Sequence, residues 1–362
     1  MANRALRVLV VGCGNMGAAH AQAYEALEEF TLCGLVARGA SKERLKARLG
    51  GNIPLFEELH DAIKQTSPDA VCIATWPDSH EVLALTALAA GCHVFLEKPL
   101  ATTVSGAKRV VATARLAGKQ LVVGYILRHH PTWQQFIQLA QNLGKPLVMR
   151  MNLNQQSSGA AWHTHKMLMQ SLSPIVDCGV HYLDVMCQMT QASPLSVSAI
   201  GARLSEEIAP QQFNYGQLQV RFADGSVGWY EAGWGPMMSQ TAFFIKDVIG
   251  PKGSASIVAR EAGGEGQSAS VEAHTRTESL RLHHSQLNPQ GEFEYQDEWI
   301  SAAEEPDHFA LCRLEQQFFA RSVFEDQDLT LHQQQAIESL AVVLAADLAV
   351  REQRMVNIKE VL

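Results

Sequence analysis

The sequence predicts two domains: an α/β half built on a parallel sheet with helices on both faces, then an α+β half built on a large, mostly antiparallel, open-faced sheet. Three observations lead there. Up to about residue 125, short apolar runs alternate with amphipathic stretches, the rhythm of strands buried on both faces and wrapped by helices. Beyond that point the runs lengthen, and Asp224-Gly225, a hairpin turn dipeptide, joins two of them. A chain of 362 residues also exceeds what a single core usually serves. The expected division is 1–124 and 125–362.

In the first half the expected strands are LRVLVVG (6–12), TLCGLVA (31–37), AVCIAT (70–75), HVFL (93–96) and QLVVGY (120–125). Helix-like stretches lie between them at 16–29, 41–49, 56–66, 79–91 and 103–118. Ser79 and Gly91 bracket one of these as N-cap and C-terminal signals. In the second half a helix is expected over 132–143 and another over 174–189. Strands are expected over 146–155, 195–204, 214–222, 226–234, 242–250 and 254–260. Residues 260–300 are polar and unpatterned, which suggests outer strands or an irregular excursion. Two helices, 307–324 and 331–353, close the chain.

Composition excludes several classes. Lys and Arg total 29 against 37 Asp and Glu, giving a net charge of −8 with no basic block. That argues against nucleic acid or an anionic membrane as partner. No run is long enough to span a bilayer, and the apolar run near the N-terminus is too brief for a secretory signal. Seven scattered cysteines with no CxxC pair suggest reduced packing residues of a cytoplasmic protein.

VVGCGNMG contains Gly12, Gly14 and Gly17 in G-x-G-x-x-G spacing, with Asn15 and Met16 between the last two. It follows an apolar strand and opens a helix. That is the context a dinucleotide pyrophosphate requires: a tight turn, a close backbone approach, and a helix N-terminus offering N–H donors. The first half is therefore expected to be a Rossmann domain. An NAD site usually places a carboxylate at the end of the second strand. Here that position reads Ala37-Arg38, with Ser41 and Lys42 following. Arg38 would attract a 2′-phosphate, so NADP(H) is favoured over NAD(H).

HVFLEKPLATT ends an apolar run with Glu97, Lys98 and Pro99. Further on, Asp177, His181 and Asp184 are spaced to share one helix face. By themselves these three would suit a solvent stripe. Taken with VGCGNMG and the 73–101 segment, however, the E-K-P and D-x-x-x-H motifs resemble the Gfo/Idh/MocA oxidoreductase family, named for glucose–fructose oxidoreductase and inositol dehydrogenase. The resemblance covers the whole first half and continues through 177–186.

The resemblance implies a catalytic set of Lys98, Asp177 and His181, a bond before Pro99 that is often cis, and no catalytic metal. Physically, a lysine at a strand end can stabilise charge developing on a reacting oxygen, and a histidine suits proton transfer near neutrality. Asp177 would orient the substrate or the imidazole, with Asp184 in support. Thr75, Trp76 and His80 match the loop lying along the cofactor, together with Glu97, although His80 could equally face water on its helix. Tyr125 and Arg128 sit where the family's substrate domain begins, and could line the substrate pocket or tether the two domains. Trp162 and His163 suit a mobile loop over a sugar. The His129-His130 and His283-His284 pairs are expected at the surface.

The implied activity is hydride exchange between NAD(P) and a secondary alcohol of a sugar, cyclitol or related polyol, by a homodimer or homotetramer. The competing functions are a non-catalytic dinucleotide-binding regulator and a redox-assisted glycosidase. Retention of Lys98, Asp177 and His181 together argues against a pure regulator.

Overall fold

The computed structural model describes residues 4–239, 245–258, 268, 275, 277–301 and 305–362. These fall into two units: residues 1–126 with 307–337, and residues 127–306 with 338–362.

In the first unit, apolar sequence became strand where it could be covered twice. β1 (Leu6–Val11), β2 (Phe30–Val36), β3 (Leu55–Phe56), β4 (Ala70–Ile73), β5 (His93–Glu97) and β6 (Leu121–Gly124) form one sheet in the order β3-β2-β1-β4-β5-β6. Every pairing is parallel. β3 was not expected; two residues are too few to show a pattern. Val8, Leu9, Val10, Val71, Cys72, Val94, Phe95, Val122 and Val123 are all buried, as a sheet covered on both faces requires. The strand order reverses between β1 and β4, and ligands of open α/β sheets bind outside the carboxyl ends of the strands at such a switch point.

The units depart from the expected division at residues 125–126, which fall in the first unit, and more extensively near the C-terminus. Residues 307–337 return to the first unit instead of staying with the second. Helix His308–Phe324 packs on helix Asn15–Glu25: Phe319 stacks on Phe30, with centroids 6.1 Å apart, and Tyr24 donates to Gln316 Oε1 at 2.6 Å. Phe319, Ala320 and Leu329 join the same apolar cluster as Val8, Val10 and Phe95. An amphipathic pattern says that a helix needs an apolar partner, but not which sheet supplies it.

The second unit carries a nine-stranded sheet. β7 (Val148–Gln156), β8 (Pro194–Ala202), β9 (Tyr215–Phe222), β10 (Val227–Gly235), β11 (Lys246–Gly250), β12 (Gly253–Val258), β13 (Ser279–His284), β14 (Glu298–Ser301) and β15 (Val356–Asn357) run in the order β14-β13-β12-β11-β7-β10-β9-β8-β15. Among the described residues of this unit, only β7 and β10 pair in parallel. Gly225, at φ +85°, turns β9 into β10 at the expected hairpin. The polar 260–300 stretch includes the outer strands β13 and β14. The start of the strand expected over 242–250, and residues 259–267, 269–274 and 276, lie outside the described residues. Helices pack on one face of the sheet. On the other, Val148 aligns with Val227 and with Ile249 in one exposed row.

The helix expected over 174–189 is interrupted. Pro174–Asp177 forms one turn, and Gly179–Thr190 continues beyond Cys178. A Cβ on Gly179 would stand 2.9 Å from the Tyr230 ring, so the break brings the backbone against β10.

Candidate functional site

The glycine loop leaves β1 at the switch point. Gly12 has φ +90°, which favours glycine, and a Cβ there would meet Ala74 O at 2.3 Å. A Cβ on Gly17 would lie 1.7 Å from Gly12 O, so helix Asn15–Glu25 can approach the loop only with glycine at that position. Gly14 differs: a Cβ there would meet nothing within 4 Å. Gly14 and Asn15 are exposed and Met16 is half-buried at the start of the helix. An open backbone position at a helix N-terminus fits a dinucleotide pyrophosphate, so the donor set suits the implied cofactor.

The neighbouring strand ends complete that edge. Arg38, after β2, is exposed and pairs with Glu58, after β3, at 3.4 Å. Ser41 opens the next helix, and Lys42 lies buried close to Glu43 and Glu57. After β4, the hydroxyls of Thr75 and Ser79 hydrogen-bond at 2.7 Å while Trp76 stands 53% exposed. His80 does not face water: it is fully buried, with Nδ1 2.8 Å from Pro99 O and Nε2 3.1 Å from Thr75 O. Burial lowers its pKa despite those two carbonyls. Its ring bridges the loops that follow β4 and β5.

β5 ends in Glu97 and delivers half-buried Lys98, and the Lys98–Pro99 bond is cis. Glu97 is buried. Its Oε1 lies 2.7 Å from His20 Nε2 and its Oε2 accepts the backbone N–H of Lys98 at 3.1 Å. Burial would raise its pKa, but the His20 hydrogen bond, with the nearby Lys98 and His80, holds it below the usual carboxylate range. Close by, Glu315 is 1% exposed, and neither carboxyl oxygen has a hydrogen-bond partner among the described residues. Burial, reinforced by the Glu97 charge, pushes its pKa well up. His20, Cys312 and Glu315 bring donor atoms within 4.8 Å of one another. Both ring nitrogens of His20 are already hydrogen-bonded, Nδ1 to Gln316 and Nε2 to Glu97.

In the second unit, Asp177 ends the one-turn helix and His181 lies in the first turn of the next, both buried. Cys178 Sγ is 3.5 Å from Asp177 Oδ2 and 3.6 Å from Gln155 Oε1, and Gln155 also accepts from Trp234 Nε1 at 2.8 Å. Trp234 in turn stacks on His165 with centroids 4.5 Å apart. Burial lowers the pKa of His165 to about 4, against the opposing effect of Asp177. These groups form one polar cluster, with Asp177 at its edge.

Asp184 is committed elsewhere. Arg128 grips it bidentately at 2.8 and 2.5 Å, with Arg128 only 11% exposed. Tyr125 is fully buried in the first unit, its hydroxyl 3.5 Å from Ala336 O. Trp162 and His163 belong to helix Gly159–Leu168, not to a loop. Trp162 is buried and bonds Glu207 at 3.2 Å, while His163 is exposed. The expectation of two surface histidine pairs fails at His130, which is fully buried and accepts from Thr132 N at 3.2 Å. His283 and His284 do sit near the surface, paired with Asp297 and Glu298.

Several residues of these clusters had no motif to announce them: His20, Gln316, Glu315, Gln155, His165 and Glu58. His20 offered one signal, since an imidazole on the apolar side of the helix after the glycine loop needs a buried partner. Gln155 offered none, because its partners come from other elements, and His165 stood out only as half of His163-x-His165, a spacing that by itself is too little for a metal site.

Comparison with known proteins places these features in one family. A family model described as "Oxidoreductase family, NAD-binding Rossmann fold" matches residues 6–125, and one described as "GFO/IDH/MocA C-terminal domain" matches residues 134–256. The chain is 30% identical over 189 residues to an inositol 2-dehydrogenase of Klebsiella pneumoniae, covering 50% of this chain and 53% of that protein. It is 25% identical over 277 residues to a D-glucoside 3-dehydrogenase of Escherichia coli K12, covering 71% and 78%. The chain thus spans about half the length of the first curated relatives it matches. Its fold also matches the crystal structure of an oxidoreductase from Agrobacterium radiobacter in complex with NAD+, L-tartaric acid and magnesium. The TM-score is 0.76 at 17% identity, over 99% of each chain. With both halves matched in chain order, the chain belongs to the Gfo/Idh/MocA oxidoreductase family.

Proposed function

We propose that this chain catalyses the reversible, nicotinamide-dependent oxidation of a secondary alcohol in a sugar, cyclitol or related polyol. The observation that carries this is the edge of the parallel sheet. There an open Gly14 backbone lies at the switch point, and the end of β5, two strands along the same edge, delivers Lys98, held through Glu97. The relatives named above, an inositol dehydrogenase and a glucoside dehydrogenase, supply the substrate class.

The loop Gly12–Gly17 and the N–H groups of the helix behind it would hold the pyrophosphate. Thr75, Trp76, His80 and Glu97 would shape the side of the cofactor site after β4 and β5. When bound, the cofactor supplies the hydride acceptor. Lys98 donates to the substrate oxygen and stabilises the negative charge that develops as the hydroxyl proton leaves. His181 takes that proton, and Asp177 orients the substrate or the imidazole. Trp162, His163, Tyr125 and Arg128 belong to the wider substrate set. Of these, the exposed His163 is the residue free to meet ligand directly, while Arg128 acts by bracing Asp184 on the helix that bears His181.

NADP(H) is favoured over NAD(H) because no carboxylate ends β2 and Arg38 is exposed there. The Arg38–Glu58 contact is solvent-exposed and therefore weak, so a 2′-phosphate can displace Glu58. Self-association through the open sheet face around Val148, Val227 and Ile249 would give a dimer or tetramer, which light scattering reads directly.

The test is absorbance at the reduced-nicotinamide band while the protein is offered a panel of sugars and polyols. Net reduction of cofactor by one of them is expected. Glycoside cleavage without net reduction, or no turnover with any member, would contradict the proposal.

A further inference from the structure

The residues behind Glu97 form a directed chain of hydrogen bonds. Tyr24 donates its hydroxyl to Gln316 Oε1 at 2.6 Å, which fixes the orientation of that amide. The amide nitrogen of Gln316 therefore faces His20 Nδ1, at 3.0 Å, and donates to it. With Nδ1 accepting, the ring proton sits on Nε2 and is donated to Glu97 Oε1 at 2.7 Å. The second oxygen of Glu97 accepts the backbone N–H of Lys98 at 3.1 Å. All four side chains are buried, and Gln316 comes from a helix nearly 300 positions further along the chain, 296 from His20.

From this geometry we infer that His20, oriented by Gln316 and Tyr24, is a positioning residue for Lys98 that acts through Glu97. The inference rests on the assignment of Lys98 to the chemistry. Glu97 is held at both oxygens, so its carboxylate ties the backbone of Lys98 to the helix that opens at the glycine loop. Cofactor loop and lysine are thereby referred to one rigid element. A displacement near 1 Å at a reacting group can cost about 100-fold in rate, so a buried tether at this point has catalytic leverage. Besides His20, the ionisable groups around Glu97 are Lys98, His80, Glu315, Cys72 and Cys312. Burial and the Glu97 charge both raise the pKa of Glu315 while that of Glu97 is lowered, so Glu97 is the carboxyl of the two that ionises more readily.

The experiment compares His20→Leu, His20→Gln, Gln316→Leu and Lys98→Ala with the wild type. Melting temperature, cofactor dissociation constant, KM and the pH profile of kcat are measured for each. In His20→Leu, kcat should fall roughly 100-fold with cofactor affinity within about threefold of wild type. The acidic limb of the kcat profile should move to higher pH, because Glu97 without its donor protonates more readily. His20→Gln, whose amide N–H can reach the same carboxylate, should recover part of the rate, and Gln316→Leu should fall between. An unchanged kcat and pH profile in folded His20→Leu or Gln316→Leu overturns the inference. So does a loss of rate matched by equal loss of cofactor affinity and melting temperature with no recovery in His20→Gln. If His20→Leu does not fold, the His20→Gln and Gln316→Leu profiles decide in the same way. Full activity in Lys98→Ala would instead remove the underlying assignment, whereas an inactive Lys98→Ala beside an active His20→Leu removes the tether alone.

Discussion

At the scale of single residues, the glycines of the first loop separate two physical demands that the motif merges. Gly17 is needed by the protein itself, because a Cβ there would collide with Gly12 O. Gly14 faces open space and is needed only by what approaches from outside. Gly17→Ala should therefore lower stability by about 2 kcal/mol and weaken cofactor binding as well. Gly14→Ala should leave the melting temperature nearly unchanged while cofactor affinity falls. Calorimetry of both variants, with and without cofactor, checks the contrast. Arg38 and Glu58 give a second prediction. Arg38→Ala should cut kcat/KM for NADPH by about tenfold or more while NADH is little affected, since a charge-assisted contact to a phosphate is worth about 1.5–3 kcal/mol. Glu58→Gln should shift preference further toward NADPH. A wild-type enzyme that prefers NADH would overturn the part assigned to Arg38. Side-chain burial was the least legible property at this scale. His80 and His130 sit in a sequence like any polar residue, and only the carbonyls or helix ends presented to them by folding make the interior tolerable.

Among the elements, the parallel strands were readable because residues buried on both faces leave an unbroken apolar run, as in VLVV (8–11) and AVCI (70–73). The break at Cys178 was not readable, because the helical spacing of Asp177, His181 and Asp184 continues across it. At the break, Gly179 lets the backbone lie close to the ring of Tyr230 on β10. Gly179→Ala should accordingly be destabilising by roughly 1–3 kcal/mol as the backbone is pushed off β10. Thermal unfolding measures this, and an unperturbed variant would show that the contact is not what fixes the break. Helix His308–Phe324 makes the complementary point. Its amphipathic pattern was evident, but its attachment to the first unit depends on Phe319 meeting Phe30 and Phe95. Phe319→Ala should cost about 3–5 kcal/mol, and it should weaken cofactor binding because helix Asn15–Glu25 loses its cover.

For the molecule as a whole, acid sensitivity follows from histidines that folding withdraws, wholly or in part, from water. Burial lowers His93, His130 and His165 to about 4, from an ordinary value of 6.5. The unfolded chain therefore binds more protons than the native one between pH 6.5 and 4. Stability is fully present above the higher value and is lost as pH falls through that window. Each such group is worth about 3 kcal/mol at most. His165→Phe keeps a ring against Trp234 and removes one titrating group, so its melting temperature should decline less than the wild type's between pH 7 and 5. An equal decline in both would show that His165 does not titrate as described.

The family assignment was legible because its motifs sit where chemistry restricts residue choice: at the glycine loop, at E-K-P and at the Asp177–His181 pair. The parts that stayed hidden depend on contacts between distant segments. The roles proposed for Lys98 and for His181 are most directly tested by the initial rate of nicotinamide reduction with the best polyol of a panel, measured for wild type, Lys98→Met and His181→Ala. Both variants should lose roughly 100-fold or more in kcat while keeping wild-type affinity for the cofactor. Turnover at the wild-type rate in either variant would contradict the account.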